Sequence, residues 1–315
     1  MSLTIGVDIG GTKVLGGVVD EQGAVVAQAR RDTPAADTRE TLDRIVSVIE
    51  ELSAGRDIAG VGIGAAGWID ANRSTVLYAP NLAWRDEPLR AEIAQRIKHP
   101  IVVENDANVA AWAEFRFGAA ADAEDSMVML TSGTGIGGGI VLGGALIRGA
   151  HGIAGELGHV VMVPDGHPCG CGSRGCLEQY ASGSALTRFA REAVVADPVR
   201  GAALLKEAGG DPAQLTGPMV TDGAKAGDPV ALGAFEQVGK WLGYGLSDLA
   251  QSFDPEVLVV GGGVVDAGDL LLEPARKAYH ERLAARAALP VAEIRAASMG
   301  NVAGVVGAAD LARRL

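Results

Sequence analysis

The stretch that decides the fold is I-G-V-D-I-G-G-T-K-V-L-G-G-V-V, Ile5 to Val19. An apolar β run from Leu3 ends at Asp8, a glycine turn follows, and a second β run starts at Val14. Glycines between two strands predict a tight hairpin. The pattern returns as a β run over Ser126–Thr131 followed by S-G-T-G-I-G-G-G-I-V, Ser132 to Val141. Two such hairpins predict an internally duplicated α/β fold with one phosphate turn per lobe. Backbone N–H groups of the first turn, with Gly10, Gly11, Thr12 and Lys13, suit an anion nest for phosphate oxygens. The second turn offers Thr131, Gly133, Thr134 and Gly135. Asp8, at a strand end, is placed to hold a hydrated Mg²⁺. Neither turn is a Walker loop, because a strand rather than a helix follows. On these residues alone an ordinary glycine turn with a capping Asp is equally open.

Outward from the hairpins, Leu42, Ile45, Val46 and Ile49 fall at helical spacing within Thr38–Ser53. Ala24–Arg30 reads as a third strand. Ile58–Ala65 reads as a strand opening into a ligand-facing loop at Gly67 and Trp68. Asn81 sits in a loop as either a turn residue or a hydroxyl binder, and Asp86–Lys98 reads as an amphipathic helix. Ile101–Glu104 is a short buried strand meeting N-D-A-N, Asn105 to Asn108, and a helix to Phe117. Asp106 therefore stands where a strand ends and a helix begins, the place where open α/β sheets bind ligands. The position suits a helix N-cap; beside the other motifs it also makes Asp106 the candidate base. Later come helices over Gly183–Ala196, Pro229–Phe253, Leu270–Ala287 and Asn301–Arg314. Strands are expected at Glu256–Val260 and Val291–Ala296, and Ala202–Gly217 has no clear pattern. The turn after Val260 places Gly262 and Gly263 where backbone can pack on a flat base.

All three cysteines, Cys169, Cys171 and Cys176, lie in G-E-L-G-H-V-V-M-V-P-D-G-H-P-C-G-C-G-S-R-G-C-L-E, Gly155 to Glu178. With His159 they make a Cys3His set, the signature of a closed structural zinc site. A Cys-x-Cys disulfide would be strained. His167 is the rival imidazole, but only Pro168 separates it from Cys169, so His159 is preferred. Glu156 and Glu178 bracket the metal loop. They are either solvated carboxylates or, with His159, groups that the metal loop presents to a polyhydroxylated ligand.

A chain of 315 residues predicts two lobes, and 48% apolar with 21% charged residues predicts packed globular structure. A net charge of −12 argues against nucleic acid and anionic membrane as partners. With no export signal and thiols suited to a metal, the expected compartment is the cytoplasm.

Together the motifs resemble the ROK family, named for repressors, open reading frames and sugar kinases, within the actin, hexokinase and heat-shock ATPase superfamily. D-I-G-G-T-K from Asp8 and G-T-G-I-G-G-G from Gly133 resemble its phosphate turns. E-N-D-A-N from Glu104 resembles its catalytic segment. G-E-L-G-H from Gly155 and C-G-C-G-S-R-G-C-L-E from Cys169 resemble its sugar and zinc signature, the most specific of the five. The resemblance implies a two-lobed actin/hexokinase-like ATPase fold with duplicated βββαβα cores and a zinc-stabilised loop. Its expected lobes are residues 1–118, closed by a C-terminal helix at 300–315, and residues 119–299. It implies ATP, Mg²⁺ and structural Zn²⁺ as cofactors, and Asp106 as general base toward a sugar hydroxyl. Gly67, Asn81, Asn105, Asp106, Glu156, His159 and Glu178 would bind the sugar. The implied reaction is phosphorylation of glucose at its 6-hydroxyl. N-acetylglucosamine or N-acetylmannosamine is the alternative acceptor, polyphosphate an alternative donor, and a non-catalytic sugar sensor the alternative class. A homodimer or homotetramer is expected. Repressor members carry a DNA-binding domain before the first phosphate turn; with seven residues ahead of Asp8, none is expected here.

Overall fold

The computed structural model describes residues 2–286 and 288–314. The predicted helix end at Ala287 and the last residue, Leu315, lie outside the described residues. The chain divides into two compact units.

The first unit comprises Met1–Met127, Gly139–Gly155 and Ser298–Leu315. Strands β1 (Leu3–Ile9), β2 (Lys13–Val19) and β3 (Val25–Asp32) form an antiparallel meander, followed by helix α1 (Thr38–Ser53) and strand β4 (Ile58–Ala65). Three short strands, β5 (Trp68–Ile69), β6 (Val76–Tyr78) and β7 (Arg85–Glu87), make a separate small sheet. Helix α2 (Leu89–Ala94), strand β8 (Ile101–Asn105) and helix α3 (Asp106–Phe117) complete the run. The main sheet is ordered β3-β2-β1-β4-β8, with β4 parallel to both β1 and β8. Parallel strands covered on both faces read as continuous apolar runs, and Ile5, Val7, Ile63 and Val103 are all buried.

The predicted helix over Asp86–Lys98 is shorter than expected. Cross-strand pairing of Val76 with Glu87 and Tyr78 with Arg85 draws its first residues into the small sheet, and Pro88 precedes the six-residue α2.

Strands β9 (Met127–Ser132), β10 (Ile136–Leu142) and β11 (Ala145–Leu146) follow, and the boundary between the units passes within β10. The second unit comprises Val128–Gly138 and Glu156–Ala297. Its helices are α4 (Glu178–Ala181), α5 (Gly183–Ala196), α6 (Ala202–Glu207), α7 (Gly217–Lys225) and α8 (Pro229–Phe253). Strand β12 (Val257–Gly261), helix α9 (Asp269–Arg282) and strand β13 (Glu293–Ala296) complete it. The segment without clear pattern resolves into α6 and the start of α7, the latter capped by Thr216 with Pro218 in its first turn. The second sheet is ordered β11-β10-β9-β12-β13, the same topology as the first, which is the expected duplication.

Helix α10 (Ala303–Ala312) returns the chain to the first unit. It packs on β1 and β4 through Gly6 and Gly62, where any side chain would run into the carbonyls of Val305 and Ala308. Among the described residues no helix is long and apolar enough to cross a membrane.

Candidate functional site

In the first unit the carboxyl ends of β1, β4 and β8 lie side by side, with Asp8, Gly64 and Glu104 in register. Asp106 follows immediately as the first residue of α3. It is not the N-cap, as its position suggested: Asn105 is, and its Oδ1 accepts from the Asn108 N–H at 2.9 Å. Asn105 Nδ2 donates to Gly67 O at 3.0 Å and to Asp106 Oδ1 at 3.1 Å. Oδ1 also accepts from the Ala107 N–H at 2.9 Å. One amide thus gathers Gly67, Asn105 and Asp106 into one corner.

Burial raises the Asp106 pKa, against the lowering effect of the Ala107 N–H and the Asn105 amide. Burial, and then the neighbouring Asp106 carboxylate, push Asp8 up to about 6, with Lys13 pulling the other way. Two carboxyl groups that oppose each other's ionisation fit a divalent cation, whose charge reverses that penalty. The first glycine turn adjoins: the Gly10 N–H is held by Lys13 O at 3.0 Å, and Gly10 O accepts from the Thr33 hydroxyl at 2.9 Å. Asn81 is exposed and lies against Gly11.

In the second unit, His159 Nδ1 lies 3.6 Å from Cys169 Sγ, and Cys171 Sγ lies 3.7 Å from Cys176 Sγ. The four ligand atoms are all within 4.8 Å of one another. A tetrahedral zinc with Zn–S near 2.3 Å requires edges of about 3.8 Å between sulfurs and about 3.5 Å from sulfur to nitrogen. The cluster fits that ion. Burial and the neighbouring thiols push Cys176 up to about 12. A cation is therefore what would make this sulfur a thiolate. His167 turns elsewhere: its Nε2 meets Arg188 Nη1 at 3.0 Å.

The two acids bracketing the loop differ. Glu178 Oε2 accepts from the Ile136 N–H at 3.0 Å while Oε1 lies 3.5 Å from Cys169 Sγ, so this carboxylate joins the second glycine turn to the metal cluster. Glu156 Oε2 stands 3.9 Å from His159 Nε2, the ring nitrogen that faces away from the cysteines. The second turn is further tied by Gly183 N to Gly133 O at 2.8 Å and by Ser184 Oγ to Thr134 O at 2.7 Å. Gly133 has open space where a side chain would stand. Gly262 has φ +85°, and a side chain on it would strike the Ser132 backbone, so the fold itself requires glycine there; Gly263 faces open space. Thr131, last but one in β9, is half-buried at the strand end.

Sequence spacing does not single out Glu104, within E-N-D-A-N, or its ion-pair partners Arg73 and Arg148. It also passes over Arg85, whose Nη1 donates to Ala79 O at 2.8 Å and Leu82 O at 3.2 Å and so holds the Asn81 loop. No local spacing announces such contacts. A buried carboxylate inside a motif was the one available signal.

The sequence profile of the ROK family matches residues 4–315. The chain is 49% identical to a glucokinase of Streptomyces coelicolor, over 99% of this chain and 98% of that one. Among solved structures it is similar to a ROK family glucokinase from Streptomyces griseus in complex with glucose and AMPPNP, with a TM-score of 0.88, 49% identity and full coverage of both chains. It is also similar to a ROK hexokinase from Thermus thermophilus, with a TM-score of 0.84 and 34% identity over 99% of this chain and 98% of that one.

Proposed function

The chain belongs to the ROK family, and from that membership we propose that it is a glucokinase, transferring the γ-phosphoryl group of ATP to the 6-hydroxyl of glucose. The observation that carries the proposal is the Asp106 corner together with the full-length likeness to a glucokinase bound to glucose and AMPPNP.

Phosphoryl transfer asks a protein for positioning and charge neutralisation rather than covalent chemistry. Asp106 Oδ1 is engaged by Asn105 and Ala107, which leaves Oδ2 to accept the proton of the attacking hydroxyl. Its raised pKa makes it a stronger base than an exposed aspartate. Gly67, Asn81, Asn105, Glu156, His159 and Glu178 are assigned to the sugar hydroxyls. Asp8 is assigned to Mg²⁺, which neutralises phosphate charge when bound. Gly10 to Lys13, Thr131, Gly133 to Gly135, Gly262 and Gly263 are assigned to the nucleotide. In the two turns the Gly10 and Gly133 N–H groups are already held by Lys13 O and Gly135 O, so phosphate contact falls to Gly11, Thr12, Thr134 and Gly135. A cytoplasmic homodimer or homotetramer completes the reading.

The test is a coupled ADP-release assay over glucose, mannose, fructose, N-acetylglucosamine and N-acetylmannosamine, with ATP or polyphosphate as donor. The proposal expects glucose with ATP to give the highest kcat/KM. Selective turnover of an acetamido sugar would replace the acceptor, and ADP release indifferent to sugar would remove the kinase assignment.

A further inference from the structure

Glu104 immediately precedes Asn105 and Asp106, and the mechanism above gives it no role. Its side chain is only 1% exposed. An ionised carboxylate buried that deeply is costly unless paired and fully hydrogen-bonded, and an apolar replacement is often as stable. Here three hydrogen-bond donors and a second, ion-paired guanidinium surround it. Oε1 accepts from the Asn105 N–H at 2.9 Å and from Asn108 Nδ2 at 3.1 Å. Oε2 faces Arg73 Nε at 3.0 Å and Arg148 Nε at 2.6 Å.

Both arginines are anchored, Arg148 through its guanidinium and Arg73 through its backbone. Arg148 donates through Nη1 to Ala71 O and through Nη2 to Asp70 O, each at 2.9 Å. Asp70 in turn accepts from the Ser74 N–H at 2.7 Å and the Thr75 N–H at 2.9 Å, which closes the β5–β6 turn. Arg73 lies within that turn, holds a left-handed φ of +54°, and accepts through its carbonyl from the Val103 N–H at 3.2 Å. The β5–β6 turn and the segment after β11 therefore converge on one carboxylate.

That carboxylate fixes Asn105 and Asn108, the two residues joined by the N-cap hydrogen bond of α3. Asn105 fixes Asp106 Oδ1 and Gly67 O. We infer that Glu104, neutralised by Arg73 and Arg148, is a positioning residue for Asp106: it locks the first turn of α3 so that Oδ2 keeps its aim at the substrate hydroxyl. The inference rests on Asp106 being the base. Small errors in such aim are expensive, since misplacement by about 1 Å costs on the order of 10²-fold.

The test is a double-mutant cycle of Glu104→Gln with Asp106→Asn, read as kcat and as KM for ATP, with circular dichroism on each variant. Glu104→Gln alone is expected to lower kcat about 10- to 100-fold with an unchanged KM for ATP. In the Asp106→Asn background it is expected to lower kcat no further, because residues acting as a unit are non-additive. Arg148→Met, which leaves the Glu104–Arg73 pair, is expected to give a smaller fall with the same split, and it carries the test if Glu104→Gln does not fold. Equal fold-losses in both backgrounds, or wild-type kcat in Glu104→Gln, would overturn the positioning role while leaving the base in place. Wild-type kcat in Asp106→Asn alone would overturn the base itself, and the positioning role with it.

Discussion

The two glycine hairpins occupy equivalent places in two sheets of the same strand order, yet they end in different chemistry. At the first, Asp8 is last but one in β1, and β8 ends at Asn105 with Asp106 following at the start of α3. At the second, Thr131 and Ser132 close β9, and β13 ends at Ala296, followed in sequence by Ala297 and Ser298. The first copy gathers carboxylates; the second gathers glycines, hydroxyls and, through Glu178, the metal loop. Duplication supplied one backbone frame twice, and the side chains at its strand ends then diverged. In physical terms, a proton acceptor needs burial and a shifted pKa, while a phosphate cradle needs bare N–H groups and little bulk.

The sharpest way to break this division is Asp106→Asn. The amide oxygen can still accept from Ala107 and Asn105, so shape and glucose affinity should persist. Turnover should fall about 10²–10⁴-fold, the usual cost of losing a general base. Parallel kcat and glucose titration on one preparation check it.

Next in size is loss of the metal. Cys171→Ser should bind less than one zinc per chain and raise the glucose KM about 10- to 100-fold, the usual cost of disordering groups around a metal site. The KM for ATP should move less. Metal analysis followed by both KM values decides; a zinc-free variant with normal glucose KM would reduce the metal to a remote staple.

Gly133→Val should act on the second hairpin alone. The site has open space and an ordinary φ, so the fold should tolerate the side chain, and what it obstructs is approaching phosphate. The KM for ATP should rise about tenfold, the equivalent of one lost hydrogen bond of about 1.4 kcal/mol, with that for glucose unchanged. Gly135→Val is a contrasting control, because its side chain would strike the Glu178 carboxylate and should disturb glucose as well.

The smallest effect is on stability. Asp8 has a folded pKa of about 6 against an ordinary 3.8. The fold holds a proton that the unfolded chain has released, so stability falls as pH rises from about 4 to about 6. Asp8→Asn should therefore stabilise the ligand-free protein at pH 7.5 by about 1 kcal/mol, out of at most about 3, and so raise its Tm there, while leaving Tm unchanged at pH 4. Thermal scans at the two pH values check this, and equal shifts at both would remove the linkage.

Much of this frame is written locally in the sequence. Helices α1, α5 and α8 begin and end where periodicity places them, because Asp37, Ser182 and Asp228 cap their first turns. The zinc set is legible because its sulfurs lie within a few residues of one another. Contacts that depend on a distant partner are not. The stretch after Asp86 has helical spacing, but its first residues pair with β6, which no periodicity sees. Asp106 looks like a cap until Asn105 takes that role from one residue away. Glu104 and Arg148 meet only after β4 and β8 have paired and the β5–β6 turn has closed, so neither announces the other.

The most direct test of the central claim is phosphorus NMR of the wild-type protein with glucose and Mg·ATP. The account predicts that glucose 6-phosphate and ADP appear in equal amounts. ADP with inorganic phosphate and no phosphosugar, or phosphate on any other hydroxyl, would contradict it.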